Sequence, residues 1–239
     1  MRSRLSYLRK QNLLAPVFNN IYTFDVKYNF SPPVENNITK INNLLLKNFP
    51  YAQICFSETR WLNEFSVHQV FKSDIICMVE EFVTESIFYF LTEKGYRVIY
   101  HPNEKDVTYY LGGGGSVIIT NLVSRSPASG YKKVTIPTLE KLLVDAFTDT
   151  NIYFAFQDYE LIRIFENAES KCNINFSVML NYSRRRGNYT KLKSYLKTIF
   201  PQYESYLWFR PWIQFSFLNV PLHPFPQRRH KRFPYRLSL

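Results

Sequence analysis

The run Val134 to Asp149, VTIPTLEKLLVDAFTD, constrains this chain more than any other stretch, because three local signals coincide in it. Val134 and Ile136 alternate with polar neighbours and stop at Pro137, the pattern of a short strand that runs into a turn. Thr138 stands at the N-cap position of a helix, and Glu140 falls in the first turn, where a carboxylate meets the positive end of the helix dipole. Leu139, Leu142, Leu143, Ala146 and Phe147 then recur at spacings of three and four, so one stripe of the helix faces a core. Glu140, Asp145 and Asp149 are expected on its solvated side, without a part in chemistry.

A chain of 239 residues with 46% hydrophobic and 18% aromatic residues can bury a sizeable core and carry a small appendage. Cys55, Cys77 and Cys172 are odd in number, widely separated and fit no metal spacing, which points to buried thiols in a reducing compartment. No run approaches about 18 apolar residues and none follows the basic N-terminus, so no membrane partner and a cytoplasmic location are expected. The net charge of +11 is unevenly divided: residues 1–14 carry +4, residues 15–178 carry −4, and residues 179–239 carry +11. A polyanion would therefore be met by the two ends of the chain.

The expected class is α/β (α+β), a mixed sheet with C-terminal helices, in four parts. Residues 1–27 read as a basic helix, Arg2 to Leu14, with Asn12 as a left-handed cap, followed by two short strands within Val17 to Phe24 that turn at Asn19 and Asn20. Residues 28–36, with Ser31-Pro32-Pro33, read as a linker. Residues 37–200 read as the main domain. It opens with a helix (Ile38 to Phe49, with Ile38, Ile41, Leu45 and Leu46 inward) and a strand (Ala52 to Phe56). A helix from Arg60 to His68 follows, with Trp61, Leu62 and Phe65 inward and Glu58 and Glu64 outward. A βαβ unit comes next: strand Ile75 to Val79, helix Thr84 to Leu91 ended by Gly95, and strand Arg97 to Tyr100. Asn103 to Leu111 is a polar excursion, Ser116 to Leu122 a strand, and Val123 to Tyr131 a loop. Beyond the central stretch, Ile152 to Glu169 forms one or two helices, and Cys172 to Arg184 and Thr190 to Phe200 form two more, broken at Gly187. Residues 201–239 read as a basic, aromatic, partly disordered tail.

Gly112 to Gly115 lacks the Lys-Ser/Thr of a phosphate loop and precedes a strand, so it reads as a turn. The strand VIITNLV that follows has no carboxylate to hold magnesium, as a nucleotidyltransferase would need. Asp74, Glu80 and Glu81 flank a strand, but no lysine follows at the spacing of a metal-dependent nuclease. The four histidines show no paired spacing. No catalytic residue, metal site or cofactor is therefore expected. The strongest charge feature is Arg184, Arg185, Arg186, Lys191, Lys193 and Lys197, six cations between Met179 and Lys197 with no acid among them. With Arg2, Arg4, Arg9 and Lys10 of the N-terminal helix, they are the candidate nucleic-acid contacts.

The strand, threonine cap and LEKLLVDAF of the central stretch resemble the (S/T)PEKALVDLL segment of AbiEi-like antitoxins, the transcription-regulator halves of abortive-infection type IV toxin–antitoxin pairs. Leu139 stands where that pattern has proline. Leu8, Leu13, Leu14, Val17, Ile21 and Tyr22 match the recognition helix and wing of the same proteins, with asparagines where the wing has glycine and arginine. YAQICFSETRWLNEF (Tyr51 to Phe65) and MLNYSRRRGNYTKLKSYL (Met179 to Leu196) are similar to an uncharacterised bacterial domain family close to those antitoxins. The likeness runs over roughly residues 4–197. It implies a non-catalytic, DNA-binding regulator with a partial winged helix, paired with a nucleotidyltransferase-type toxin. A complete winged helix has two further helices before its recognition helix, so a truncated form of a longer protein, or a remnant without DNA binding, remains an alternative. The other alternative is a metal-dependent enzyme acting on nucleic acid.

Overall fold

The central stretch folds as its pattern predicts. Val134–Pro137 is a strand and Leu139–Thr148 is a helix. Thr138 has the extended backbone of an N-cap, but its hydroxyl accepts no capping hydrogen bond. Glu140 instead reaches across to accept from the backbone N–H of Asn175 at 3.0 Å, and the Asn175 side chain in turn accepts from the N–H groups of Ser177 and Val178. One first-turn carboxylate thus ties two helices together at the start of the second.

The computed structural model describes residues 2–18, 21–103 and 114–203, which belong to one compact unit. The tail beyond residue 203, the tip at Asn19 and Asn20, most of the polar excursion and the first two glycines of the GGGG run lie outside the described residues. In chain order the elements are α1 (Arg2–Lys10), β1 (Ala15–Phe18), β2 (Ile21–Thr23), α2 (Asn36–Asn48), β3 (Ile54–Glu58), a 3-10 turn (Thr59–Glu64), β4 (Ile75–Val79) and α3 (Glu81–Glu93). They continue with β5 (Val98–Tyr100), β6 (Val117–Asn121), β7 (Ala128–Tyr131), β8 (Val134–Pro137), α4 (Leu139–Thr148), α5 (Asp158–Lys171), α6 (Phe176–Arg185) and α7 (Tyr189–Ile199). The protein is a mixed α/β fold with a mixed sheet and C-terminal helices.

The main sheet has the order β3-β4-β6-β5. β3 and β4 are antiparallel, while β4, β6 and β5 are parallel. The expected unit β4-α3-β5 is present, but β6 sits between its two strands. β6 reads VIITN and pairs on both sides, the place where an apolar β-branched strand gains most from burial. Gly114 and Gly115 have φ of +69° and +80°, and a Cβ at Gly114 would lie 2.5 Å from Lys72 Cβ, so the turn into β6 requires glycine at that point.

β7 occupies part of the expected loop 123–131 and pairs with β8 in a hairpin. Its sequence ASGY has no apolar alternation, so the hairpin draws its register from β8. The expected helix Arg60 to His68 is a short 3-10 helix over Thr59–Glu64. Trp61, Leu62 and Phe65 are buried as expected, but Glu58 is buried in β3 rather than turned outward, and Leu46 is exposed. Arg60 holds Glu58 with an Nε–H bond of 2.7 Å.

At the N-terminus, α1 ends at Lys10, short of the expected Leu14, and Asn12 just beyond it has the left-handed φ of +52° that the sequence indicates. The β1–β2 hairpin follows and packs on α6, with Phe18 stacked on Phe176 at 5.3 Å. The proline-rich segment is pinned to the body: Trp61 donates to the Pro33 carbonyl, Lys27 pairs with Glu169 at 2.8 Å, and Tyr28 bridges to Cys172. Cys55, Cys77 and Cys172 are all free and buried.

Candidate nucleic-acid interface

The basic run at the end of α6 lies on a helix that also carries Tyr182, and a helix turns about 100° per residue, so neighbours in sequence face different ways. Tyr182 and Arg186, four apart, look inward. Arg184 and Arg185 look outward and are exposed. Gly187, with φ of +72°, ends the helix, and α7 begins at Tyr189.

The inward side is a buried polar network. Lys141 and Asp145 of α4 and Tyr182 of α6 are at most 4% exposed. Lys141 Nζ donates to Asp145 Oδ2 at 2.6 Å and to the Tyr182 hydroxyl at 2.7 Å, and that hydroxyl donates to Asp145 Oδ1 at 2.8 Å. Arg186 pairs with Asp149 and places its Nε 3.8 Å from Asp145. Two cations thus offset two carboxylates in a setting of low dielectric, where an unpaired charge would be costly. Burial opposes the charge on Arg186, yet Asp149 and Asp145 more than offset it and hold the pKa above the ordinary guanidinium value. Burial, reinforced by Asp145, pushes the Asp149 carboxyl up against the pull of Arg186. Burial and then Asp145 raise the Tyr182 hydroxyl, and burial takes the neighbouring Cys55 thiol to about 12.

Asp145 therefore departs from the solvated position expected of it, and Asp149 is half-buried. The missed members of the network, Lys141 and Tyr182, carried a faint signal. α4 is apolar at Leu139, Leu142, Leu143, Val144 and Ala146, which leaves it little solvated surface, so a Lys and an Asp four apart on it have to pair inside.

The outward side is basic and aromatic. The Arg184 guanidinium lies 4.4 Å from the centre of the Tyr189 ring, and Lys193 Nζ lies 5.8 Å from the same ring. Arg184 also donates to Asn181, and Arg185 donates to the Arg125 carbonyl at 2.7 Å while lying over Tyr182 at 5.7 Å. Among the described residues neither Arg184 nor Arg185 forms an ion pair. Lys191 is exposed, and Lys193 and Lys197 are partly covered. Of the N-terminal set, Arg9 and Lys10 are exposed on the last turn of α1, while Arg2 and Arg4 fall in its first turn.

The hairpin that follows α1 contacts Phe176 at one end of α6, and Arg184 to Arg186 lie at the other. At about 1.5 Å per residue, the two are separated by roughly 12 Å along the helix axis. The run Arg184-Arg185-Arg186 thus divides into two outward cations and one inward. No group of three or more His, Cys, Asp or Glu side chains that could hold a metal ion is gathered among the described residues.

Residues 1–202 match DUF6577, a family of unknown function. The chain belongs to that family. The match takes in α1, the hairpin, the main sheet and all of α4 to α7, so the polar network and the basic corner lie within what defines this DUF6577 member. No curated protein and no solved structure matches the chain. No described helix is long and apolar enough to cross a membrane.

Proposed function

We propose that the protein is a non-catalytic, cytoplasmic nucleic-acid-binding protein of the regulator type, with DNA as its partner and the α6–α7 corner as its main phosphate-contacting surface. The observation that carries this reading is the Tyr189 ring with Arg184 and Lys193 at 4.4 and 5.8 Å from its centre, with Arg185 anchored to the Arg125 carbonyl and Lys191 exposed on the first turn of α7. Cations set around an aromatic ring, with no carboxylate paired to Arg184 or Arg185 among the described residues, supply both phosphate attraction and a face on which a base can stack. The resemblance of the central stretch and of the helix–hairpin to AbiEi-like antitoxins supports the regulator class, and with it a nucleotidyltransferase-type toxin as a second partner.

Such a surface positions a backbone without reading sequence, so binding is weak, unselective and steep in salt. If Arg184, Arg185 and Lys191 meet phosphates together with three N-terminal cations, log Kd against log salt has a slope of magnitude about 5. Fluorescence anisotropy of a labelled duplex from about 50 to 200 mM salt reads this slope, and Arg184→Ala with Arg185→Ala lowers its magnitude by about 2. An unchanged slope in that double variant, or no binding at the lowest salt, would sink the reading.

A further inference from the structure

The β7–β8 hairpin carries a set of cations beside the α6–α7 corner. Arg125 leads into it, and Lys132 and Lys133 form the two-residue turn between the paired Tyr131 and Val134. All three residues are exposed, as are Ala128, Ser129 and Gly130 along β7 between them. No Asp or Glu occurs from residue 107 to residue 139. Among the described residues β7 pairs with β8 alone, so its other edge leaves backbone N–H groups open to a ligand. A Cβ added at Gly130 would meet nothing within 4 Å, so the space over the middle of the strand is open as well.

Two observations set these cations apart from ordinary surface charge. The first is backbone conformation. Arg125 and Lys132 hold φ of +53° and +54°, in the left-handed region that favours glycine and asparagine. Two-residue hairpin turns favour Asn-Gly or Asp-Gly for that reason, yet this turn is Lys-Lys. Residues in such conformations persist where their surroundings hold them, and they cluster at functional sites.

The second is the way both ends of the hairpin are held. The buried Asn42 of α2 donates to the Lys133 carbonyl at 3.1 Å, and Arg185 donates to the Arg125 carbonyl at 2.7 Å. The latter bond sets the base of the hairpin against the basic corner, so the two sets of cations are neighbours. The pairing of cation and tyrosine seen at the corner also recurs, with Lys132 Nζ 5.5 Å from the centre of the Tyr131 ring. At about 3.3 Å per residue, the path from Arg125 to Lys132 spans at most roughly 23 Å, or about seven base steps of duplex at about 3.4 Å each.

We propose that the β7–β8 hairpin is a second phosphate-contacting element, continuous with the α6–α7 corner, so that one nucleic-acid backbone runs from Lys132 and Lys133 along β7 past Arg125 to Arg184 and Arg185. This rests on the nucleic-acid reading of the corner and extends its footprint. The side chains of Arg125, Lys132 and Lys133 neutralise phosphates, and the open edge of β7 donates backbone N–H groups to their oxygens. Three such contacts, in addition to the six counted for the corner and the N-terminus, steepen the salt slope by about 3.

The test uses the full chain and the labelled duplex over about 50 to 200 mM salt. Arg125→Asn with Lys132→Asn removes two charges and suits the left-handed backbone, so its thermal midpoint should lie at or above that of wild type. The magnitude of its salt slope should fall by about 2. Lys133→Gln, at a residue whose φ is not positive and whose carbonyl Asn42 still holds, should lower it by about 1. Arg163→Gln with Lys94→Gln, exposed cations of α5 and of the end of α3, should leave it unchanged. A wild-type slope in the hairpin variants, while Arg184→Ala with Arg185→Ala still lowers it, overturns the hairpin and leaves the corner standing. An equal fall in the Arg163 and Lys94 variant also overturns it, because the effect then follows net charge alone. No binding by wild type at the lowest salt overturns both readings.

Discussion

The two faces of the α6 C-terminus make an instructive contrast. On the inner face, Arg186 and Tyr182 close a buried network with Lys141, Asp145 and Asp149, in which every charge has an opposite within hydrogen-bonding or ion-pair range. On the outer face, Arg184 and Arg185 have ring, amide and carbonyl partners, and no carboxylate among the described residues. Three consecutive arginines of identical chemistry thus do different things. The inner one holds α6 to α4, and the outer pair offers charge to solvent. The position of a residue on a helix, not its charge, decides which role it takes.

Breaking the inner face is expected to have the largest effect. Lys141→Met leaves Asp145 buried with a hydroxyl and a guanidinium 3.8 Å away as its remaining partners, and removal of one member of a buried pair costs about 3–5 kcal/mol. Urea unfolding reads that loss. Lys141→Met combined with Asp145→Leu and Tyr182→Phe should recover much of it, because well-packed apolar residues then replace the buried pair and no hydroxyl is left without a partner. If the single variant unfolds at the wild-type midpoint, the network is not holding the helices together.

Leu142 tests the apolar half of the same helix. It is fully buried, and Leu142→Ala is expected to cost about 2–5 kcal/mol, according to how far the site can collapse. Comparison with Lys141→Met then separates packing from charge pairing within a single turn of α4.

The contrast is sharpest between adjacent arginines. Arg186→Ala removes the partner of Asp149 and should cost about 2 kcal/mol. Arg184→Ala touches an exposed side chain and should stay within about 0.5 kcal/mol. Equal losses in the two variants would erase the distinction between inner and outer faces.

The smallest expected effect concerns pH. Burial holds Asp74, Glu58 and Asp149 above the ordinary carboxylate value. Each keeps its proton in the fold at a pH where the unfolded chain has lost it, so the native state binds more protons in that window. Their contribution to stability is complete below the unfolded value of about 4 and is lost as pH rises through the raised native values. Asp74→Asn keeps an oxygen to accept from the Ser116 N–H and removes the buried charge. Its unfolding midpoint, measured across a pH series, should fall less steeply than that of wild type above about pH 4.

The sequence by itself determined those elements whose pattern and local geometry agree. Ile75–Val79 was legible to the residue because a continuous apolar run suits a strand covered on both sides. The caps at Asn12, Gly95 and Gly187 were legible because a positive φ restricts residue choice locally. The strand–helix pair from Val134 to Thr148 was legible because its period changes from two to about 3.6 at Pro137.

Only the tertiary structure decided the rest. β6 came between β4 and β5, and a strand's sequence carries no record of which neighbour it will pair with. β7 formed from ASGY because β8 offered it a partner edge. Glu58, Asp145 and Lys141 went inside, where composition alone would place a charge outside, because partners from elsewhere in the chain were waiting: Arg60 from the next turn, Tyr182 from 41 residues on. Which arginine of Arg184-Arg185-Arg186 faces in was fixed by the packing of α6 on α4. A charged run specifies how many cations there are, and only the burial of the helix's other face specifies which of them are left for solvent.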